Sequence, residues 1–322
     1  MDLVMINVNY PDYQLEQSIL TERGIGFRTC VCKTDSEVAE SIADADIVVV
    51  GLQPLNAGVI QALRRCRVIG RLGVGLDTID VDAATQRGIA VINLPDYCAE
   101  EVASHAVSLL LALSRKLFMA DDLVRSGRWS DWEVLRPIRA YSDTTLGIVG
   151  LGNIGAKVAQ FLRPLVKEIL AYDANRTDSP LNYVRLVTFD ELLSRSDWLT
   201  IHAPLSSVTR GLFSARTFDV MRRGSILVNV SRGGIIVDDD LSVALKDGRL
   251  SGAGLDVMET EPLPLSSSLL SAPNLIVTNH VAWYSESSIV RQRTLMMRRI
   301  LDYLDGIPVP SLVNPEVKSQ NS

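Results

Sequence analysis

The sequence is poor in the residues that mark metal-binding and nucleic-acid-binding proteins. Only three of its 322 residues are histidine and four are cysteine, and no cysteines stand in the paired CxxC spacing of a zinc site. We therefore expect reduced thiols and no bound metal. Acidic residues outnumber basic ones by 38 to 32, so the net charge is −6. This charge gives no support to a nucleic acid or an anionic membrane surface as a partner.

Long apolar segments are also missing. The longest apolar run, Ala106–Leu113, is interrupted by Ser108 and falls well short of the roughly 20 residues that a membrane-spanning helix needs. The first nine residues lack the basic segment that begins a secretory signal, and their apolar positions predict a β-strand instead. We expect a cytoplasmic protein that does not interact with a membrane.

What the chain does contain is the composition and rhythm of an α/β protein. Hydrophobic residues make up 47% and charged residues 22% of a length that is sufficient for two domains. Short β-rich runs alternate with helix-like segments, which predicts parallel sheets. The segment from Glu101 to Leu117 predicts one long helix that is apolar around most of its circumference and therefore buried.

A glycine-rich stretch, "GIVGLGNIG", has the spacing of a dinucleotide-binding turn. Gly150, Gly152 and Gly155 follow a predicted strand at Thr145–Val149 and precede a predicted helix at Ala156–Leu162. In this context the first glycine allows a tight turn and the second lets the backbone approach a pyrophosphate. The third glycine lets the helix pack closely on the strand.

An acidic residue stands where such a fold binds the adenosine ribose. Asp173 ends the next predicted strand, "ILAYD", 173 − 155 = 18 residues after the last glycine. A carboxylate there accepts hydrogen bonds from ribose hydroxyls and repels a 2′-phosphate, so NAD is favoured over NADP. Arg176 leaves NADP open as an alternative cofactor, because an arginine can bind that phosphate.

The three histidines differ in their surroundings. His105 lies inside the long apolar helix, where a packed, hydrogen-bonded core histidine is the better interpretation. His202 follows a predicted strand, and this position favours a cofactor-lining role over catalysis. His280 ends another strand and precedes Trp283, and it is the best candidate for a proton-transferring group.

Several long stretches together resemble one known family. They are "GRLGVGLDTIDVDAATQRGIAV", "TLGIVGLGNIGAKVA", "LLSRSDWLTIHAPL", "MRRGSILVNVSRGGIIVDDDLSVALKDGRLSGAGLDVMETEPLP" and "NHVAW". Over nearly its whole length the chain resembles the D-isomer-specific 2-hydroxyacid dehydrogenases, and "PDYCAEEVASHAVSLLLAL" and "AWYSES" look most like the C-terminal-binding-protein branch. The resemblance implies two Rossmann-like domains with a cleft between them. A flavodoxin-like substrate domain would combine residues 1–99 and 287–322, and an NAD-binding doubly wound parallel sheet would span 100–286.

The resemblance also implies a catalytic trio. His280 would give a proton to the carbonyl oxygen of a 2-keto acid, and Glu261 would orient its ring and favour the imidazolium. Arg232 would bind the carboxylate and carbonyl oxygens as a planar fork. The predicted substrate-binding residues are Val74, Gly75, Arg232, His280 and Trp283. The predicted cofactor-binding residues are Gly150, Gly152, Asn153, Ile154, Gly155, Asp173, His202, Pro204, Thr209, Val230, Ser231, Arg232, Asp256 and His280.

These observations predict an NAD-dependent D-2-hydroxyacid dehydrogenase that acts as a homodimer on a small 2-keto or 2-hydroxy acid. The "GLQPLNA" loop lacks the arginine of relatives with anionic substrate tails, which disfavours a phosphorylated substrate. Formate dehydrogenases of the superfamily have glutamine in place of Glu261, which disfavours formate. Two alternatives stay open: an NAD-sensing, corepressor-like binding protein, and a pathway enzyme for an unusual acid such as a phosphonate.

Overall fold

The N-terminal part of the chain forms a five-stranded sheet of parallel strands in the order β2-β1-β3-β4-β5. The computed structural model describes residues 1–317. Strands such as "IVVV" are buried at every position, as expected for strands covered by helices on both faces. The elements of this part, in chain order, are β1 (Asp2–Ile6), α1 (Gln14–Thr21), β2 (Gly26–Cys30), α2 (Asp35–Ile42), β3 (Ile47–Val50), α3 (Ala57–Ala62), β4 (Val68–Arg71), α4 (Val81–Gln86) and β5 (Ala90–Ile92).

The middle of the chain forms a seven-stranded parallel sheet in the order β12-β11-β10-β9-β6-β7-β8. The chain builds outward from β6 in one direction and then outward from β9 in the other, so β6 and β9 flank the topological switch point where such sheets bind ligands. Its elements are α5 (Ala99–Ser114), α6 (Leu117–Arg125), β6 (Thr145–Val149), α7 (Asn153–Leu162), β7 (Glu168–Tyr172), β8 (Val184–Leu186), α8 (Phe189–Arg195), β9 (Trp198–Ile201), α9 (Ala215–Val220), β10 (Ser225–Asn229), α10 (Asp238–Lys246), β11 (Leu250–Leu255) and β12 (Leu275–Val277).

The last helix, α11 (Glu286–Leu304), packs with the first sheet. Ser285 begins it with a capping box, in which its side chain accepts from the Ser288 N–H and the Ser288 hydroxyl accepts from the Ser285 N–H. The chain accordingly divides into two compact units, Met1–Cys98 together with the described residues from Ser285 onward, and Ala99–Tyr284. The predicted α/β class with parallel sheets is confirmed.

Two predicted helices differ from the structure. The long helix predicted for Glu101–Leu117 is broken: α5 ends at Ser114, Lys116 takes a left-handed conformation with φ 51°, and α6 continues after a 53° bend. The helix predicted from Ala156 begins three residues earlier, because the turn of the chain is complete at Gly152 and Asn153 already has helical geometry.

Among residues 1–317, no single helix combines the length and the apolar composition that a membrane span needs. By length and composition alone, only the bent pair of α5 and α6 would pass as a span. The same residues contain no group of three or more His, Cys, Asp and Glu side chains that could hold a metal ion.

Candidate active site

The predicted site residues of the second unit all lie just beyond the carboxyl ends of its parallel strands. These ends meet at one edge of the sheet, which is the edge where open α/β sheets bind ligands. In the order of the strands that they follow, they are Gly150, Gly152, Asn153, Ile154 and Gly155 after β6, Asp173 after β7, His202, Pro204 and Thr209 after β9, Val230, Ser231 and Arg232 after β10, Asp256 and Glu261 after β11, and His280 and Trp283 after β12.

The glycine-rich turn has the geometry that a dinucleotide requires. Gly150 has φ +90°, and a Cβ there would lie 2.8 Å from the carbonyl carbon of His202. A Cβ on Gly155 would lie 2.1 Å from the Gly150 carbonyl oxygen, so the helix can approach the strand this closely only with glycine. At Gly152, no heavy atom among the described residues comes within 4 Å of such a Cβ. The space above the amino end of α7 therefore fits a pyrophosphate.

Asp173 is tied to the same turn. Its Oδ2 accepts a hydrogen bond from the Leu151 N–H at 2.8 Å, and its Oδ1 accepts from the Asn175 N–H at 3.0 Å. The Arg176 Nε lies 3.8 Å from Asp173 Oδ2. The carboxylate thus fastens the glycine-rich turn, while its remaining lone pairs are available to ribose hydroxyls.

His202 lies beside the turn as a neutral ring. Burial lowers its pKa to about 3, and its Nε2 is 3.0 Å from the Thr200 hydroxyl. Its Nδ1 is buried with no hydrogen-bond partner among residues 1–317. In the following loop, the Thr209 hydroxyl donates to the Pro204 carbonyl at 2.7 Å. An orphaned buried nitrogen at this edge fits a cofactor-lining role, since bound ligand groups commonly satisfy such atoms.

His280 and Glu261 form a close pair. The distance from His280 Nδ1 to Glu261 Oε2 is 2.7 Å, and Glu261 Oε1 accepts from the Met258 N–H at 3.0 Å. Both side chains are partly buried. A carboxylate on Nδ1 fixes the proton there when the ring is neutral, and leaves Nε2 to exchange a proton with a substrate.

The charge of Glu261 is stabilised by its neighbours. Burial alone would raise its pKa, but the hydrogen bond and charge of His280, the Met258 N–H and the charge of Arg232 together bring the pKa below the usual carboxyl value. Arg232 follows β10 in extended conformation, and its Nη1 donates to the Ser231 carbonyl at 2.7 Å. The charges of Glu261, His280 and Arg232 therefore act on one another.

The backbone that carries His280 is unusual. Its φ is +56°, a left-handed conformation that costs a non-glycine residue about 1–3 kcal/mol. Its N–H donates to the Asp256 carbonyl at 2.9 Å. The Asp256 carboxylate accepts from the N–H groups of Val281 and Ala282 at 2.9 and 2.8 Å, and the Trp283 indole N–H donates to the His280 carbonyl at 3.0 Å. Hydrogen bonds on both sides thus hold the strained residue.

Two predicted residues lie in the first unit. Val74 and Gly75 follow β4 in the turn beyond its carboxyl end, and the Asn93 side chain donates to the Val74 carbonyl at 2.7 Å. Their proposed role in holding a substrate carboxylate stays a prediction.

Thr278 was not singled out from the sequence, and His105 was predicted only as a core histidine. The Thr278 hydroxyl donates to Asp256 Oδ1 at 2.6 Å, and the His105 Nε2 is 3.0 Å from the same hydroxyl. The predicted hydrogen-bonded core histidine at His105 therefore contacts the residues that support His280. The only sequence signal was the position of Thr278, two residues before His280 at the end of an apolar strand.

The doubly wound sheet, its glycine-rich turn and the histidine–carboxylate pair define the class of nicotinamide-dependent dehydrogenases. Residues 107–282 match the family model for the D-isomer specific 2-hydroxyacid dehydrogenase, NAD binding domain. The chain is 34% identical over 280 residues to hydroxypyruvate reductase of Blautia hydrogenotrophica, which covers 85% of this chain and 86% of that one. The chain belongs to the D-isomer specific 2-hydroxyacid dehydrogenase family, and the prediction of an NAD-dependent oxidoreductase is confirmed.

Other relatives differ in length and in name. Over 271 residues the chain is 38% identical to D-3-phosphoglycerate dehydrogenase of Archaeoglobus fulgidus, covering 83% of this chain and 51% of that one, so it spans about half of that relative. D-lactate dehydrogenase from Aquifex aeolicus, complexed with NAD and lactic acid, superposes with a TM-score of 0.85 at 27% identity over 94% of this chain and 96% of that one.

Proposed function

We propose that the chain catalyses reversible hydride transfer between NADH and a 2-keto acid, giving a D-2-hydroxy acid. The observation that carries this proposal is the 2.7 Å contact between His280 and Glu261 at the sheet edge that also holds the glycine-rich turn. One edge thereby combines a nucleotide-binding turn with a group that can exchange a proton.

The protein residues divide the remaining work between them. When bound, NADH supplies the hydride that reduces the carbonyl carbon. His280 gives its Nε2 proton to the carbonyl oxygen, and Glu261 stabilises the imidazolium before the transfer and fixes the ring afterwards. Arg232 binds the substrate carboxylate and polarises its carbonyl group. The guanidinium also stabilises the negative charge that develops on the carbonyl oxygen. In the oxidation direction His280 accepts the proton instead.

The substrate class is a small acid without a phosphate. The loop "GLQPLNA" contains no arginine that could bind a phosphate on the substrate. Names of relatives include hydroxypyruvate reductase and glyoxylate reductase, which supports reduction of short keto acids. Within the family we place the chain nearest to the C-terminal-binding-protein branch, on the residues "AWYSES".

The cellular setting is part of the proposal. All four cysteines lie in the described residues as free thiols, which supports a reducing, cytoplasmic location.

The test is oxidation of NADH with a panel of glyoxylate, hydroxypyruvate, pyruvate, longer 2-keto acids, 3-phosphohydroxypyruvate and a phosphonate analogue, followed at 340 nm. We expect turnover with one or more short unphosphorylated acids, and a loss on the order of 10²–10⁴ in turnover with His280→Ala. NADH binding without turnover of any acid would refute the dehydrogenase and favour the corepressor-like alternative. Strong preference for the phosphorylated acid would refute the substrate class.

A further inference from the structure

A three-residue hydrogen-bonded chain lies behind the backbone of His280. It runs from His105 in the middle of α5 to Thr278, which follows β12, and ends at Asp256, which follows β11. Asp256 is fully buried, and His105 is mostly buried. The chain thus joins one helix and two neighbouring strands at a point two residues before the proposed proton donor.

The directions of these hydrogen bonds follow from the groups involved. At 2.6 Å from a carboxylate oxygen, the Thr278 hydroxyl must donate its one proton to Asp256 Oδ1. Its oxygen can then only accept from His105 Nε2 at 3.0 Å, so the Nε2 of His105 carries a proton. His105 Nε2 is also 3.8 Å from Asp256 Oδ1, and the ring dipole therefore faces the negative charge.

At its other end, the Asp256 carboxylate fixes the turn that carries His280. Oδ1 accepts from the Val281 N–H as well as from Thr278, and Oδ2 accepts from the Ala282 N–H. Bonds to a carboxylate are stronger than bonds to a neutral acceptor. The left-handed conformation at His280 is therefore held by a charged group that is itself oriented by Thr278 and His105.

We propose that Asp256, Thr278 and His105 form a positioning unit that sets the backbone of His280, and that this unit acts on the proton-transfer step and not on cofactor affinity. This inference rests on the proposed function, because it assigns His280 its role. It differs from the cofactor-binding role predicted for Asp256, since loss of a contact with the cofactor would weaken NADH binding.

The decisive variant is Thr278→Val, which keeps the side-chain shape and removes the hydroxyl. We expect kcat to fall by about 10-fold to 100-fold, the usual consequence of a misplacement near 1 Å. The NADH dissociation constant should stay within about twofold of that of the unaltered protein. Thr278→Ser should restore most of the kcat. His105→Gln keeps a hydrogen-bond donor, so its kcat should fall less than that of His105→Leu.

A matched control is Thr144→Val. Thr144 is a fully buried threonine in the same unit, and its hydroxyl donates to the Ala140 carbonyl at 3.0 Å, just before β6 at the opposite end of the sheet. We expect its kcat to be nearly unchanged. An equal loss in this control would assign the effect to general loosening and overturn the proposal.

Amide hydrogen exchange gives a readout that needs no turnover. In Thr278→Val the N–H groups of Val281 and Ala282 should exchange about tenfold faster or more, because their acceptor is no longer held. Unchanged exchange, unchanged kcat, or a loss confined to NADH affinity would each overturn the positioning role. If no keto acid is turned over by the unaltered protein, the proposed function fails while exchange still decides this inference.

Discussion

At the scale of single residues, the proposed mechanism assigns Glu261 a charge that favours the imidazolium of His280. The pKa of Glu261 lies below its usual value, so its carboxylate remains ionised across the neutral range and stabilises the imidazolium. In the proposed mechanism reduction requires that imidazolium, so we expect the rate of reduction to fall as pH rises. Glu261→Gln keeps the shape but removes the charge, so we expect the fall at lower pH. The measurement is kcat against pH for both proteins.

The neighbouring acid provides the control for that experiment. Glu259 is exposed and stands two residues earlier in the same segment. Glu259→Gln should leave the pH profile in place, and NADH binding should be unchanged in both variants. An identical profile in Glu261→Gln and the unaltered protein would contradict the assigned role of the carboxylate.

Asp173 has two proposed roles, and the affinities of one variant for NADH and NADPH can distinguish them. Its carboxylate accepts from the Leu151 N–H, and we propose that it also accepts from the ribose hydroxyls. Asp173→Ala should weaken NADH binding about tenfold or more, because one hydrogen bond to a charged group contributes about 1.5–3 kcal/mol. Because the glycine-rich turn also loses its hydrogen bond to Asp173, the binding of NADPH should weaken as well, but by less. The ratio of the two affinities should therefore become smaller. Dissociation constants for both cofactors test this, and equal affinities in the unaltered protein would refute the selectivity.

The sequence was sufficient to single out some of these residues and insufficient for others. Gly150 and His280 stand out because backbone freedom and titration near neutral pH belong to particular residue types. The contact between His105 and Thr278 joins residues 173 positions apart, and only the packing of α5 against the sheet brings them together. No spacing rule predicts such a pair.

At the scale of elements, β6 was predicted with its bounds, because a buried parallel strand is a continuous apolar run. The break between α5 and α6 was not predicted. It occurs at Arg115 and Lys116, where neither glycine nor proline marks a helix end. A left-handed lysine is rare, so tertiary packing and not local preference ends α5 at this point.

The first turn of α10 carries an acid whose charge is unfavourable. Burial raises the pKa of Asp238 to about 6, and the charges of Glu259 and Asp239 act in the same direction, against the Glu259 N–H. A folded-state pKa above the unfolded value means that ionisation at neutral pH costs stability, and that this cost disappears as pH falls below about 4.

Asp238→Asn should therefore stabilise the protein at pH 7. Because the side chain is only about half buried, we discount the shift and expect a rise in melting temperature on the order of 1–2 °C. The gain should vanish at pH 4. Melting curves at the two pH values measure this gain, with Asp219→Asn, at an exposed acid of the same unit, as the control. Equal gains at both pH values would contradict the assigned cause.

At the scale of the whole molecule, the two parallel sheets were predictable because βα repeats leave few other arrangements. The units meet in sequence at Cys98–Ala99 and at Tyr284–Ser285, and the predicted boundaries follow residues 99 and 286. The assignment of the first unit to substrate and of the second to cofactor stays a proposal. Sequence pattern specifies which strands form, whereas the roles of the units depend on ligands.

We also propose that the protein is a homodimer formed through the second unit. The segment that includes α6 and the residues after it exposes three aromatic side chains, Phe118, Trp129 and Trp132, at 64%, 79% and 57%. Such a concentration of exposed aromatic area is typical of a surface that a partner covers. Sedimentation at micromolar concentration should give a dimer.

Substitution of the two tryptophans tests the surface directly. Trp129→Ser combined with Trp132→Ser should shift the sedimenting species toward the monomer. Leu265→Ser, at a side chain that is 95% exposed elsewhere in the same unit, should not. A monomeric unaltered protein, or a double variant that remains dimeric, would count against this surface.

The indole of Trp283 has a consequence for anyone redesigning this protein. If the ring borders the substrate as we propose, its replacement would make space for larger acids, yet its N–H also donates to the His280 carbonyl at 3.0 Å. Selectivity and catalytic rate are therefore linked through one side chain. We expect variants with a small residue in place of Trp283 to accept a wider range of acids but to turn them over more slowly.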